Sequence, residues 1–200
     1  AVESYGNVSW MLHESGLLRA YDRNQKKFIL QETFLQNRLK GDQQVLIRML
    51  DSGDFWIAWN EGAGFYMCAT HEWKEVDLQS SEYICINSCD VDLSGNLFIG
   101  TTGHGVYFID KYNFSVTSSD PLGNSLKRPN LTNVHSVYVD KKSGTFWVGL
   151  FNQGLAYFHP SMNNFILYDS NRLKGNWANE DVLCMLEMED ASLLLGTDQG

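Results

Sequence analysis

Three glycines, Gly100, Gly103 and Gly105, lie within the segment FIGTTGHGVYFID at residues 98–110. Glycine-rich loops can bind phosphate through their backbone amides, but such a loop has the pattern GxxxxGK followed by Ser or Thr and leads into a helix. Here no lysine follows the glycines, and the next residues, VYFID, are typical of a β-strand. The segment therefore predicts the turn of a β-hairpin, where glycine allows a positive φ angle and close backbone approach.

The other residue types that support catalysis or metal binding show none of the usual spacings. The histidines form no HExxH pattern, and the chain contains no GxSxG nucleophile motif. The cysteines form no CxxC pair of the kind that binds zinc, and all four are expected to be small buried thiols: Cys68, Cys85, Cys89 and Cys184. We therefore predict no catalytic residues, no metal site and no cofactor.

An aromatic or apolar anchor recurs along the chain at nearly even intervals. The anchors are Trp10, Trp56, Phe98, Trp147 and Leu194, separated by 46, 42, 49 and 47 residues. Before most anchors an alternating apolar run leads into a polar, often acidic, turn, and after each comes a glycine and, in the complete copies, two further strand-like segments. A period of about 40 to 50 residues with four strands per repeat is typical of a β-propeller blade.

The fourth repeat illustrates the predicted strands, which are Val134–Val139, Thr145–Gly149, Gly154–Phe158 and Asn164–Tyr168. We predict an all-β fold, a β-propeller segment of about four blades with four antiparallel strands each, within a ring of seven or eight blades. The repeats are expected at 1–42, 43–83, 84–131 and 132–180, and 181–200 begins a further blade. The anchors Trp10, Trp56 and Trp147 are expected in the blade core.

The charge of the chain argues against two kinds of partner. The 200 residues carry a formal net charge of −9, and their Lys and Arg side chains are scattered in pairs rather than clustered. A nucleic-acid surface needs clustered cations, so we expect no nucleic-acid partner. No apolar run approaches the roughly 18 residues of a membrane span, so we expect no membrane contact by this segment itself.

The segment from Asn133 to Asp169 resembles the propeller repeat of two-component regulators, which form extracytoplasmic sensor regions of Bacteroides-type hybrid histidine kinases. The positions that match the repeat are Asp140, Gly144, Trp147, Val148, Gly149, Gly154, Leu155, Phe158, Phe165 and Tyr168. The neighbouring copy matches at Asp92, Gly95, Phe98 and Gly100, whereas Ala58 replaces the glycine in an earlier copy. The resemblance is therefore specific in the later repeats and looser in the first two.

This resemblance implies a ligand-sensing propeller in the periplasm that recognises an oligosaccharide and signals across the inner membrane to a histidine kinase. The segment itself would then not be an enzyme. Two alternatives stay open, a scaffold for protein interactions and a polysaccharide-degrading propeller enzyme. The expected partners are an oligosaccharide and either the remaining blades of the ring or a second copy of the chain.

In propellers, ligands usually bind to the loops that join strands two and three and to the loops between blades. Sugar recognition needs aromatic platforms and planar polar side chains. The candidate platforms are Trp59, Phe151 and Trp177. The candidate hydrogen-bonding residues are Asn60, Glu61, His104, Asn152, Gln153, Arg128 and Arg172.

Overall fold

The computed structural model describes residues 1–36, 38–39, 44–60, 62–78, 80, 82–118, 131–159 and 181–198, together with the strand backbone at 166–168. The regular structure of these residues is entirely β, in five antiparallel sheets. The chain divides into two compact units, Ala1–Tyr83 and Ile84–Gly200. Within the described residues no helix has the length and apolar character needed to cross a lipid bilayer.

The first unit contains two four-stranded sheets, each with its strands in chain order. The first sheet consists of β1 (Val2–Tyr5), β2 (Val8–Leu12), β3 (Leu18–Asp22) and β4 (Lys27–Glu32). The second consists of β5 (Val45–Met49), β6 (Phe55–Trp59), β7 (Gly62–Met67) and β8 (Glu72–Asp77). Their facing side chains form one hydrophobic core that includes Trp10, Leu18, Ile47 and Phe55.

The second unit contains two further four-stranded sheets and a two-stranded one. The third sheet consists of β9 (Cys85–Val91), β10 (Leu97–Thr102), β11 (Val106–Ile109) and β12 (Val116–Ser118). The fourth consists of β13 (Val134–Val139), β14 (Phe146–Leu150), β15 (Gly154–Phe158) and β16 (Ile166–Tyr168), and the fifth of β17 (Val182–Glu187) and β18 (Leu193–Thr197). The four strands predicted for the fourth repeat are thus present, and the second of them begins and ends one residue later than predicted. The predicted start of the last strand, Asn164, lies outside the described residues.

One aromatic contact recurs between neighbouring sheets in each unit. The ring of the anchor Trp10 lies 4.7 Å from the ring of Phe55, which directly precedes the next anchor. In the second unit the anchor Phe98 lies 4.7 Å from Phe146, which also directly precedes an anchor. Because aromatic rings bury large areas in a defined geometry, this contact fixes the spacing of the two sheets that it joins.

A second aromatic contact lies within the sheets, between strands two and three. The anchor ring packs on the side chain directly opposite it in the antiparallel register. The ring centroids are 4.8 Å apart for Trp56 and Phe65, 5.1 Å apart for Phe98 and Phe108, and 4.8 Å apart for Trp147 and Tyr157. Cross-strand aromatic pairs of this kind stabilise a sheet.

Polar side chains of the third and fourth sheets also bond to the backbone of the first strand that follows. The backbone N–H of Val137 donates to Ser88 Oγ at 2.7 Å, and that of Val139 donates to Asp90 Oδ2 at 2.8 Å. Between the fourth and fifth sheets, Ser136 Oγ donates to the carbonyl of Val182 at 3.2 Å. These bonds satisfy backbone groups where two sheets meet.

Two glycines permit this close approach of successive sheets in the second unit. A methyl group on Gly100 would lie 2.5 Å from Cγ1 of Val134. A methyl group on Gly149 would lie 2.7 Å from the backbone carbonyl oxygen of Val182 and would also overlap the hydroxyl of Ser136. In these repeats the residue two positions after the anchor must therefore be glycine, because a larger side chain would collide with the following sheet.

The glycine-rich segment forms the predicted hairpin between β10 and β11. Gly105 has φ +73° and Gly154, at the same place in the fourth sheet, has φ +82°. Glycine also adopts the left-handed region in the turns between strands one and two, at Gly53, Gly95 and Gly144. The corresponding turn of the fifth sheet has Ala191 at φ +64°, a conformation that costs an alanine free energy.

Two expectations about buried side chains are wrong in part. Cys89 is buried and Cys68 is half-buried. Cys85, at the start of β9, and Cys184, on β17 of the fifth sheet, are exposed. Trp10 and Trp56 are buried as expected, and Trp147 is only half-buried. The position before the anchor is aromatic in the second and fourth sheets, at Phe55 and Phe146, and aliphatic in the third and fifth, at Leu97 and Leu193.

The close approach at Gly149 predicts an unequal response to one substitution made at two equivalent positions. We expect Gly149→Ala to lower the free energy of unfolding by about 1–3 kcal/mol, because the new methyl group meets the backbone of Val182. Gly196→Ala is the matched control, because its methyl group would meet only the Sγ of the exposed Cys184, which can rotate. Urea unfolding of both variants checks this, and equal losses would contradict it.

The strained turn at Ala191 predicts a stabilising substitution. We expect Ala191→Gly to stabilise the β17–β18 hairpin by about 1 kcal/mol, because glycine adopts the left-handed region without a Cβ penalty. The reciprocal variant Gly144→Ala should destabilise the fourth sheet by a similar amount. Amide hydrogen exchange of the two hairpins measures both effects locally. Slower exchange in Gly144→Ala would contradict the view that the left-handed φ of the turn residue causes the strain.

Candidate functional site

An exposed aromatic ring marks the loop between β14 and β15 in the second unit. Phe151 is 42% exposed, and its ring stacks on the imidazole of His135 with centroids 5.1 Å apart and planes 28° apart. His135 lies on β13, the first strand of the same sheet, so a strand supports the ring from below. One face of an aromatic side chain is therefore held in place at the surface.

Backbone hydrogen bonds hold this loop against its neighbours. The N–H of Asn152 donates to the carboxylate of Asp181, and Asn152 adopts φ +52° in the left-handed region that Asn tolerates. Asp181, just before β17, also exchanges two hydrogen bonds with Asp198, from Asp181 N to Asp198 Oδ1 and from Asp198 N to Asp181 O. The loop is thus positioned by the start of the next sheet.

Asn133 connects two of the loops that were predicted to bind ligand. Its Oδ1 accepts a hydrogen bond from Gly103 N at 2.9 Å, and its backbone carbonyl accepts one from Phe151 N at 3.1 Å. The first loop contains His104, which is half-buried, and the second contains Asn152 and Gln153. The structure therefore joins these loops through a residue that lies outside both.

The predicted site residues did not include Asn133, His135 or Asp181, because only side chains suited to contact a sugar were selected and those that position a loop were not. A signal was present, since a polar residue directly precedes the first strand in two successive repeats, at Asn133 and Asp181. Its meaning becomes clear only from the three-dimensional structure, where the start of one first strand lies beside the loop of the preceding sheet.

Two of the predicted site residues of the first unit, Trp59 and Asn60, are packed inside it. Trp59 and Asn60 are each 4% exposed. The ring of Trp59 belongs to the hydrophobic core, 6.2 Å from the ring of Trp73, and the amide of Asn60 donates to the hydroxyl of Tyr83 at 2.6 Å. Glu61, Arg128, Arg172 and Trp177 lie outside the described residues. A binding role for any predicted site residue stays a prediction.

The loop residues Phe151, Asn152 and Gln153 have the chemistry of a recognition surface. The exposed face of Phe151 can pack against the C–H groups of a sugar ring, and the side-chain amides of Asn152 and Gln153 can donate and accept hydrogen bonds beside it. Within the described residues no group of three or more His, Cys, Asp and Glu side chains is placed to hold a metal ion.

Solved structures resemble the chain in fold, although no known protein family and no curated protein sequence matches it. The extracellular domain of the hybrid two-component system BT4673 from B. thetaiotaomicron is 16% identical, with a TM-score of 0.69 over 98% of this chain and 26% of that one. The extracellular domain of the hybrid two-component system BT3049 from the same organism is 18% identical, with a TM-score of 0.66 over 98% of this chain and 25% of that one.

An enzyme also has a similar fold. A catalytically inactive virginiamycin B lyase from Staphylococcus aureus, solved with quinupristin, is 11% identical, with a TM-score of 0.70 over 97% of this chain and 61% of that one. The chain spans about a quarter of the length of the two extracellular domains. The predicted all-β propeller fold is thereby confirmed, and the chain has the fold of extracellular domains of hybrid two-component systems.

Proposed function

We propose that the chain is part of an extracellular ligand-sensing propeller of a hybrid two-component sensor. The likeness in fold to two such extracellular domains over nearly the whole chain supports this proposal. The repeat residues around Trp147 and Gly149, which resemble those of two-component regulators, support it independently. In this proposal the segment lies in the periplasm and the parent protein in the inner membrane.

The proposed ligand is an oligosaccharide, and the supported ring of Phe151 is the observation that carries this assignment. Aromatic faces with adjacent amides suit sugars, whose rings have an apolar C–H face and a rim of hydroxyl groups. The net charge of −9 disfavours acidic sugars through long-range repulsion. We therefore assign a neutral oligosaccharide to the surface formed by Phe151, Asn152 and Gln153.

The fifth sheet supports the proposal that further propeller sheets accompany this chain. Its exposed apolar side chains include Leu186 and the anchor Leu194, which are 59% and 56% exposed. In the third sheet the anchor position, Phe98, is covered by Phe146 of the sheet that follows. By analogy a further sheet, from the same protein or from a second copy, would cover Leu194.

Signalling requires the ligand to distinguish two arrangements of the sensor. A ligand shifts an equilibrium only by its difference in affinity for the two states. We propose that sugar bound at the loop surface favours one relative orientation of paired sensor regions, and that this bias passes through the membrane to the histidine kinase.

A lyase with a similar fold keeps the enzyme alternative open, because propellers carry both kinds of function. A protein-interaction scaffold is the other alternative. Cleavage of an oligosaccharide by the chain would favour the enzyme, and capture of a protein partner without sugar binding would favour the scaffold.

The aromatic surface predicts the outcome of a titration with neutral oligosaccharides. Isothermal titration calorimetry with xylo-, arabino- and cello-oligosaccharides should identify one that binds the chain. Phe151→Ala should then weaken binding by roughly 5- to 30-fold, because a buried aromatic contact of about 1–2 kcal/mol is lost.

The matched control is Tyr112→Ala. Tyr112 is also an exposed aromatic residue of the second unit, but it lies in the turn between β11 and β12, at the opposite end of the strands. This variant should bind as the unaltered chain does. Equal weakening in both variants, or no binding of any neutral oligosaccharide, would contradict the assignment.

A further inference from the structure

A cleft of about 350 Å³ lies between the two sheets of the first unit. It opens at the end of the strands where the β5–β6 and β7–β8 turns lie, opposite the β6–β7 loop that contains Asn60. Its lining consists of Tyr5, Val8, Trp10, Ala20, Ile29, Leu30, Gly53, Cys68 and His71. None of these residues belongs to the proposed sugar site, which is the loop surface of the second unit formed by Phe151, Asn152 and Gln153.

The aromatic walls of the cleft are held by contacts outside it. The ring of Trp10 packs 4.7 Å from Phe55 and 5.8 Å from Tyr66. The hydroxyl of Tyr5 donates to the backbone carbonyl of Asp51. A ligand that enters therefore meets two rings that are already in position, which lowers the entropic cost of binding.

The polar atoms around the cleft are largely engaged. The thiol of Cys68 donates to the carbonyl of Gly53 at 3.0 Å. Burial, and to a smaller extent the nearby Asp54 carboxylate, raises the pKa of Cys68 to about 11, so the thiol is neutral. His71 Nδ1 is hydrogen-bonded to the Tyr66 hydroxyl at 2.9 Å. The remaining hydrogen-bonding group of this imidazole is Nε2.

The shortage of polar partners decides the class of ligand. The lining as described includes no Lys, Arg, Asp or Glu, so nothing there compensates a charged ligand for lost hydration. A sugar is disfavoured as well, because most of its buried hydroxyl groups would find no partner. A planar apolar body with one polar group matches the walls and the single imidazole nitrogen.

We propose that this cleft is a binding site for a neutral one- or two-ring aromatic compound with a hydroxyl group that bonds to His71 Nε2. The volume agrees with this class, since an apolar cavity of about 150 Å³ accommodates benzene, and the cleft has 350 Å³. His71 lines the cleft from the turn between β7 and β8. Its φ of +56° is close to the values at Lys26 and Phe114 in the equivalent turns of two other sheets.

The test uses 2-naphthol as the probe and the whole 200-residue chain. Calorimetry should show one saturable site per chain for 2-naphthol and weaker binding of its saturated analogue, 2-decalol. Val8→Trp fills the cleft from β2 and should reduce the affinity at least tenfold. Val2→Trp is the matched control, because it adds the same ring to the exposed β1 and leaves the cleft open.

Two further measurements keep the result decisive if Val8→Trp does not fold. His71→Asn retains a residue that tolerates the left-handed conformation and should weaken 2-naphthol binding by about 2- to 10-fold, the value of one hydrogen bond. In the unaltered chain, 2-naphthol should shift the NMR signal of the Trp10 indole N–H. Binding that leaves this signal unchanged, or persists undiminished in a folded Val8→Trp, would overturn the proposal, as would an absence of binding.

Discussion

The contact between an anchor ring and the aromatic residue that precedes the next anchor is the interaction on which the rest of the structure depends. It occurs as Trp10 on Phe55 in the first unit and as Phe98 on Phe146 in the second, with the same 4.7 Å between ring centroids. A ring that packs on both the third strand of its own sheet and the second strand of the following sheet fixes how the two sheets meet. In the fifth sheet the corresponding position is occupied by the aliphatic Leu193.

This packing brings the first strand of one sheet beside the hairpin loop of the preceding sheet. The glycine after the anchor allows the approach, since a side chain on Gly149 would collide with the backbone of Val182. The loop with Phe151 is then held by Asn133 and Asp181, which lie at the starts of first strands. The candidate recognition surface of the second unit is thus a direct result of the sheet packing, and its aromatic ring is positioned by strands rather than by the loop alone.

Much of the fold could be predicted from the sequence because it repeats. The anchor spacing and the alternating apolar residues located the sheets, and the hairpin at Gly105 followed from a glycine without a phosphate-binding lysine. The site was less predictable, because burial depends on what covers a residue in space. Trp59 was expected in the loop after the second strand, but it is the last residue of β6 and is enclosed by the core of the first unit, whereas Phe151 lies in the loop after β14 and is exposed. The cleft lined by Trp10 and His71 joins residues far apart in the chain, and no local pattern signals it.

A double-mutant cycle at the Phe98–Phe146 contact tests the central claim most directly. The free energies of unfolding of the single variants Phe98→Leu and Phe146→Leu and of the double variant would be measured by urea denaturation. If the stacked rings fix the spacing of the third and fourth sheets, the two changes are coupled by about 0.5–1.5 kcal/mol. Losses that add within about 0.3 kcal/mol would mean that each ring contributes burial alone, and the account of how the sheets are held together would be contradicted.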